Sequence, residues 1–427
     1  MVVTRPVDLV LIHAGELATL KAGPIPRTRD ALADLDVIAD GAVAIAGDSI
    51  AAVGPTTTIL RDVPTTSKTR TIDAAGRLVT PGLVDAHTHL LFAGHRANEF
   101  ALRLQGAGYA DILAAGGGIL ATVRATRAAS EADLVALGRR RLDRMLAHGT
   151  TTVEAKSGYG LSLDHELKIL RATSALARVH AITIVPTFLG AHVVPAEYRA
   201  TPDAYVREVC EVMLPAVASE GLAEYCDVFC EDGAFSVRQA REILGAAARL
   251  GLGLKLHADQ LSACGGARLA SELGATSADH LECAPVADLA AMASRGVVAG
   301  LLPGATFYLL HHAYAKARAM IQHGVPIALA TDFNPGSSPT LSMQMAIALA
   351  CVEMRLTPAE ALSAATINAA YSIGRAGDVG SLEPGKRADL VVWAMTTVDE
   401  LPIHFGTNMV DIVMKSGRVL VDASSTA

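Results

Sequence analysis

The run Thr80 to Val84 is apolar and of strand type, and it leads into Asp85-Ala86-His87-Thr88-His89. Strand side chains alternate in direction, so His87 and His89 point the same way and can grip one ion together. Three later strand-like runs also end in groups that bind metals or move protons: Leu254 to His257, Ser277 to His280 and Ile327 to Asp332. Three imidazoles (His87, His89, His257) and the Asp332 carboxylate suit one borderline divalent ion, zinc or iron. Calcium and magnesium prefer shells of oxygen. Such an ion with an open position makes water reactive near neutral pH, and the chemistry expected of it is hydrolysis of a carbon–nitrogen bond. His280 is suited to polarising a carbonyl oxygen, and Asp332 both to touching the metal and to moving a proton. Taken singly, each residue is more often a core histidine or a helix cap. The reading therefore depends on one fold bringing these strand ends together.

A repeated unit supplies that fold. From about residue 81 to 370, helical patterns close near a glycine, an apolar strand follows, and the strand ends in polar residues: Gly149 before Lys156, Gly253 before His257, Gly274 before His280, Gly324 before Asp332. Ser130 and Asp133 form a helix-start signature ahead of an apolar stripe at Leu134, Leu142, Met145 and Leu146. Strands are expected to start near 83, 150, 182, 226, 253, 277, 297 and 326. Eight such units predict an α/β chain with a parallel (β/α)8 barrel, whose C-terminal strand ends surround one mouth. A doubly wound open sheet is the alternative, but it would leave ligands on the first and eighth strands far apart, whereas a barrel makes those strands neighbours. Residues 1–80 and 376–427 are strand-rich and turn-rich, and Asp411 to Val421 reads as a hairpin around a charged turn. The expected organisation is a small composite β-sandwich built from both termini, flanking a barrel over 81–375.

Composition narrows the class. The 427 residues are 51% hydrophobic, but no apolar run approaches the roughly 18 residues of a membrane span. Arg5 and Asp8 interrupt the N-terminal apolar run, which lacks a signal-peptide layout, so a cytoplasmic protein is expected. The formal net charge of −7 and the absence of like-charge blocks argue against nucleic-acid and anionic-membrane partners. Six cysteines in so long a chain do not make a disulfide framework, and Cys226 and Cys230 are read as small buried hydrophobes.

Further motifs lie just beyond the strands: Phe92 to Phe100 (FAGHRANEF), Gly116 to Ile119 (GGGI), Glu154 to Gly160 (EAKSGYG), Phe188 to His192 (FLGAH), His257 to Gln260 (HADQ) and Thr331 to Ser337 (TDFNPGS). With them the chain resembles the amidohydrolase superfamily, and within it the members that open 4-imidazolone-5-propanoate to N-formimidoyl-L-glutamate in histidine degradation. The resemblance implies that Arg96 binds the substrate carboxylate, with Tyr159 and His192 adding hydrogen bonds to the carboxylate or ring. It implies that Asn334, Gly336 and Ser337 hold the ring or formimidoyl end, and that the enzyme is a homodimer. Gln260 stands where members can carry glutamate; an amide cannot act as a base, so it is assigned a hydrogen bond to substrate, and proton transfers fall to Asp332 and His280. Lys156 ends the second strand, whereas the carboxylated lysine of two-metal amidohydrolases ends the fourth, so one ion per chain is expected. A purine or pyrimidine aminohydrolase and a non-catalytic scaffold of the same fold are the competing readings, separated by dependence on Arg96 and by metal content.

Overall fold

The computed structural model describes residues 3–21, 23, 25–106 and 117–423. Gly116 of the glycine run therefore lies outside the described residues.

The N-terminal part contributes β1 (Leu9–Ala18), β2 (Val37–Ala46), β3 (Ser49–Pro55), β4 (Arg70–Asp73) and β5 (Leu78–Pro81). The barrel strands follow: β6 (Leu83–Asp85), β7 (Thr150–Lys156), β8 (Thr183–Ala191), β9 (Tyr225–Cys230), β10 (Gly253–Ala258), β11 (Ser277–His280), β12 (Val298–Leu301) and β13 (Ile327–Leu329). All eight are parallel, and each pairs with its sequence neighbour in the order β6 to β13. Closure is made beyond the last ladder. Thr88 bridges Phe333, the His89 N–H donates to the Phe333 carbonyl at 2.9 Å, and the Asp332 N–H donates to the His87 carbonyl at 3.0 Å. First and eighth strands thus meet at the residues expected to hold a metal.

Local chemistry explains the alternation. The helix Glu131–Ala147 begins with a reciprocal capping box between Ser130 and Asp133 and buries Leu134, Leu142, Met145 and Leu146 against the barrel. Three later helices end at glycines in left-handed backbone, Gly274, Gly296 and Gly324, which stops the helix and feeds the next strand at little steric cost. The barrel strands are buried on both faces, so they read as continuous apolar runs rather than alternating ones.

After the barrel helices come β14 (Leu390–Trp393), β15 (Val410–Lys415) and β16 (Arg418–Asp422). The expected hairpin joins β15 to β16, with Ser416 and Gly417 both at positive φ. These strands complete one continuous sheet with those of the N-terminal part, in the order β16-β15-β14-β5-β1-β2-β3 with β4 on β1. The composite β-domain has its own core of Leu11, Leu17, Val43, Ile45, Val392 and Met414. Buried Trp393 donates its indole N–H to Thr80 at 2.9 Å, tying the C-terminal strands to the one that leads into the barrel. Cys226 and Cys230 are buried in β9, and all six cysteines are free thiols. Among the described residues no helix is long and apolar enough to cross a membrane.

Candidate active site

The four expected ligands meet at the barrel mouth. Asp332 Oδ1 lies 3.5 Å from His87 Nε2 and 3.5 Å from His89 Nε2, and His257 Nε2 lies 3.3 Å from His89 Nε2. All four are buried, and His87 Nε2 has no hydrogen-bond partner. On its other side each of two rings is held by a carboxylate: His87 Nδ1 is 2.7 Å from Asp279, and His257 Nδ1 is 3.0 Å from Asp227. Burial, with Lys156 and the neighbouring imidazoles, holds His87 well below the usual imidazole range. Burial pushes His257 down to about 4 although Asp227 opposes it. Both rings are therefore neutral, with the proton on Nδ1 and a bare lone pair on Nε2. Lone pairs converging on one another and on a carboxylate are stable around a cation and repulsive without one. The donor set fits a borderline divalent ion that accepts nitrogen and oxygen.

Beneath the ligands lies a charged layer inside the barrel. Lys156 Nζ is 2.7 Å from Asp227, 2.8 Å from Glu154 and 3.8 Å from Asp279, and Lys255 Nζ is 3.2 Å from Glu154. All five side chains are essentially inaccessible. Burial pushes Lys156 down, but Asp227, Glu154 and Asp279 more than reverse this, so it stays an ammonium. Asp227, against its own burial, is held well below the usual carboxylate range by His257 and Lys156. Two cations against three anions leave one negative charge for the ion above them. Glu154 and Asp279 also form an acidic cluster with His87, and the Lys156 ammonium already fills it.

The mouth opens into a cavity of about 680 Å³. Arg96, Tyr159, His192, Gln260, Asn334, Gly336 and Ser337 all line it, together with His89, His257, His280 and Asp332. His280 (φ 78°) and Asp332 (φ 53°) both sit in left-handed backbone, a conformation that concentrates at functional sites because it costs about 1–3 kcal/mol. Burial pushes Asp332 up, but the imidazoles of His89, His280 and His257 overcome this and keep it ionised. Burial pushes His280 down, and the Glu282 carboxylate, 3.9 Å from Nδ1, with Asp332 and Asp279 more than offsets it. His192 stacks on His89, with ring centroids 4.9 Å apart and 13° between planes, and its Nδ1 is 3.1 Å from the Gly158 carbonyl. Burial and the neighbouring imidazoles keep His192 neutral, so Nδ1–H donates to that carbonyl and Nε2 is an acceptor.

In the loop after β13 the Asn334 side chain bonds within its own turn. Asn334 Nδ2 donates to the Asp332 carbonyl and to Ser337 Oγ, each at 2.7 Å, and Oδ1 accepts the Gly336 and Ser337 N–H groups at 2.8 Å. Asn334 is thus the organiser of the turn. Ser337 Oγ lies 3.3 Å from Asp332 Oδ2. Gly336 gives its carbonyl to Arg103, and a Cβ there would stand 2.2 Å from Arg96 Nη1. The Arg96 guanidinium forks onto Glu99 at 2.8 and 2.7 Å.

Sequence reasoning had missed Glu154, Asp227, Lys255 and Asp279 as functional positions. A signal was present: each is a charged residue inside an apolar strand, which is tolerated only with a buried partner. Glu99 and Arg103 carried no such signal, because a charged residue on a helix after a strand is ordinarily solvated.

The family model for the amidohydrolase family matches residues 78–420. The zinc-bound adenosine deaminase from Xanthomonas campestris superposes with a TM-score of 0.69 at 21% identity, covering 98% of this chain and 94% of that one. Atrazine chlorohydrolase from Arthrobacter aurescens, complexed with zinc, gives 0.69 at 18% identity, covering 97% and 95%. The chain belongs to the amidohydrolase family, with the metal-site constellation at its barrel mouth. Within that family it belongs to the imidazolonepropionases. The enzyme of that name from Symbiobacterium thermophilum is 56% identical over 98% of both chains, and that from Geobacillus kaustophilus is 50% identical over 97% of this chain and 98% of its own.

Proposed function

We propose that the protein hydrolyses the cyclic amide C–N bond of 4-imidazolone-5-propanoate to N-formimidoyl-L-glutamate, the third step of histidine degradation, using one zinc or iron ion per chain. The observation that carries this is the polarity of one cavity, with cation ligands at its floor and the Arg96 guanidinium on its wall. His87, His89, His257 and Asp332 would hold the ion, which when bound polarises a carbonyl oxygen and lowers the pKa of water. The filling of the Glu154 and Asp279 cluster by Lys156 supports a single ion.

The chain's own groups divide the remaining work. Asp332 Oδ2, on the Ser337 side of the carboxylate, takes the proton of the attacking water. His280, holding its proton to higher pH than a free imidazole, stabilises the negative charge that grows on the carbonyl oxygen. Asp332 then returns the proton to the ring nitrogen as the C–N bond breaks, so that water is added across the bond and nothing else is consumed. His192 presents an acceptor, which suits a ring N–H and not a carboxylate. Tyr159, kept protonated because burial pushes its phenol up, presents a donor that suits the carboxylate. Arg96 takes the carboxylate through a charge-assisted bond, and Gln260 hydrogen-bonds the ring. Asn334, Gly336 and Ser337 shape the loop that carries Arg96 and Asp332 into register.

The homodimer and the cytoplasmic setting are carried on the family resemblance, and a single sedimenting species at twice the chain mass is expected. The main test joins metal analysis of purified protein to turnover of freshly made 4-imidazolone-5-propanoate. About one zinc or iron per chain, with turnover abolished by chelation, is expected; metal without turnover of this compound would overturn the substrate assignment.

A further inference from the structure

Arg96 is not a free cation. Its Nε and Nη2 share one oxygen of buried Glu99, and the other Glu99 oxygen accepts the Gly118 N–H at 2.8 Å. At close range the Arg96–Glu99 pair sums to zero charge, so it can orient a carboxylate through a remaining N–H group but supplies little net attraction. A second guanidinium stands beside it. Arg103, on the helix Ala97–Leu104 that Arg96 caps, lines the same cavity and donates from Nη2 to the Gly336 carbonyl at 2.9 Å. It lies over the rings of Tyr308 (5.1 Å) and Phe100 (5.8 Å), which stack on each other with centroids 4.7 Å apart. Its Nη1 is shielded from solvent and has no acceptor among the described residues, and no carboxylate among them forms an ion pair with Arg103. Gly336 separates the two cations, with Arg96 packed where a side chain would be and Arg103 on its carbonyl.

We infer that Arg103, which has no ion-paired carboxylate among the described residues, supplies the positive charge that selects a carboxylate-bearing substrate, while Arg96 orients that carboxylate. This rests on the reading of the Arg96 wall as the carboxylate end of the cavity. The division of labour follows from the charges. A half-buried guanidinium whose Nη1 is shielded from solvent, with no ion-paired carboxylate among the described residues, attracts an anion, and the aromatic rings on which it lies fix its position. A guanidinium forked onto a carboxylate is instead rigid and directional.

The test uses calorimetric titration of the metal-loaded protein with two unreactive probes, imidazole-4-propionate and 4-ethylimidazole, alongside steady-state kinetics. Arg103→Met is expected to weaken the acid by about tenfold or more, to leave 4-ethylimidazole unchanged, and to raise KM with kcat within about twofold. Arg103→Lys should retain most of the affinity. In Glu99→Gln/Arg103→Met, release of Arg96 from its counter-ion should restore much of the acid binding. Wild-type affinity for the acid in Arg103→Met, with loss in Arg96→Met, would overturn the inference and leave the carboxylate end in place. Equal weakening of both probes by Arg103→Met would also overturn it, marking Arg103 as packing. If Arg96→Met and Arg103→Met both bind the acid normally, the carboxylate-end reading falls first and the inference with it.

Discussion

Replacing Gly336 with alanine isolates the placement of Arg96 from everything else in the site. The backbone at Gly336 is not left-handed, so alanine meets no conformational penalty there, and the cost is purely one of space. The new Cβ would lie 2.2 Å from Arg96 Nη1 and 2.7 Å from Cζ, against an ordinary contact of roughly 3.4 Å or more. The guanidinium must therefore retreat by about 1 Å, which takes it off its line to the substrate carboxylate while the fork keeps it on buried Glu99. A hydrogen bond to a charged group contributes about 1.5–3 kcal/mol, so kcat/KM should fall by roughly tenfold to a hundredfold, chiefly through KM. Stability should hardly change, because the atoms that give way are the far end of a long side chain at the cavity wall. Steady-state kinetics with 4-imidazolone-5-propanoate, imidazole-4-propionate titration and thermal unfolding together read these quantities. A variant with kcat/KM within twofold of the parent would refute the placement of the carboxylate against Arg96. A large loss of thermal stability would refute the claim that only the guanidinium moves.

Asp279→Asn should lower metal affinity by roughly 10- to 100-fold, read by competition with a chromophoric chelator, because His87 loses the carboxylate that fixes its proton on Nδ1. Unchanged affinity would show that the ring is held by packing alone. Lys156→Met should destabilise the barrel by about 3–5 kcal/mol in denaturant unfolding, since it strands buried Asp227 and Glu154 charges, and Glu154→Gln/Lys156→Met should recover part of that. A double variant no better than the single one would deny the ion pairing its weight. In Glu282→Gln, His280 loses the carboxylate that raises it. If protonated His280 stabilises the oxyanion, the alkaline limb of the kcat/KM profile should move to lower pH, and a profile that stays in place would remove His280 from that role.

The barrel, and the strand ends that meet at its mouth, were legible in the sequence because both rest on local signals. His87, His89, His257, His280 and Asp332 each lie at or just past the C-terminal end of a barrel strand, and a parallel barrel needs only the count and order of such strands to bring them together. The layer below them was not legible for a different reason. Glu154, Lys156, Asp227, Lys255 and Asp279 come from four strands, and which cation meets which anion depends on strand stagger, which no single stretch of chain encodes. The same holds for Asn334, whose side chain turns inward on its own loop, and for Arg103, whose partner Gly336 lies across the mouth. The Lys156 ammonium at the end of β7 lies within the acidic cluster of Glu154 and Asp279, and the one-ion proposal rests on that placement.

The barrel's seam has a consequence for how the molecule comes apart. The contact between the chain's first and last barrel strands is made by the backbones of His87, His89, Asp332 and Phe333 and by the Asp85 carboxylate on Thr331, so side chains suited to a metal sit on bonds that shut the ring. An ion held there would act as a clasp. Removing it should loosen the join before it loosens the staves, with the amides of His89 and Asp332 exchanging with deuterium earlier than those in the middle of β9 or β10. An ion bound at that seam would latch the cylinder as well as make it reactive.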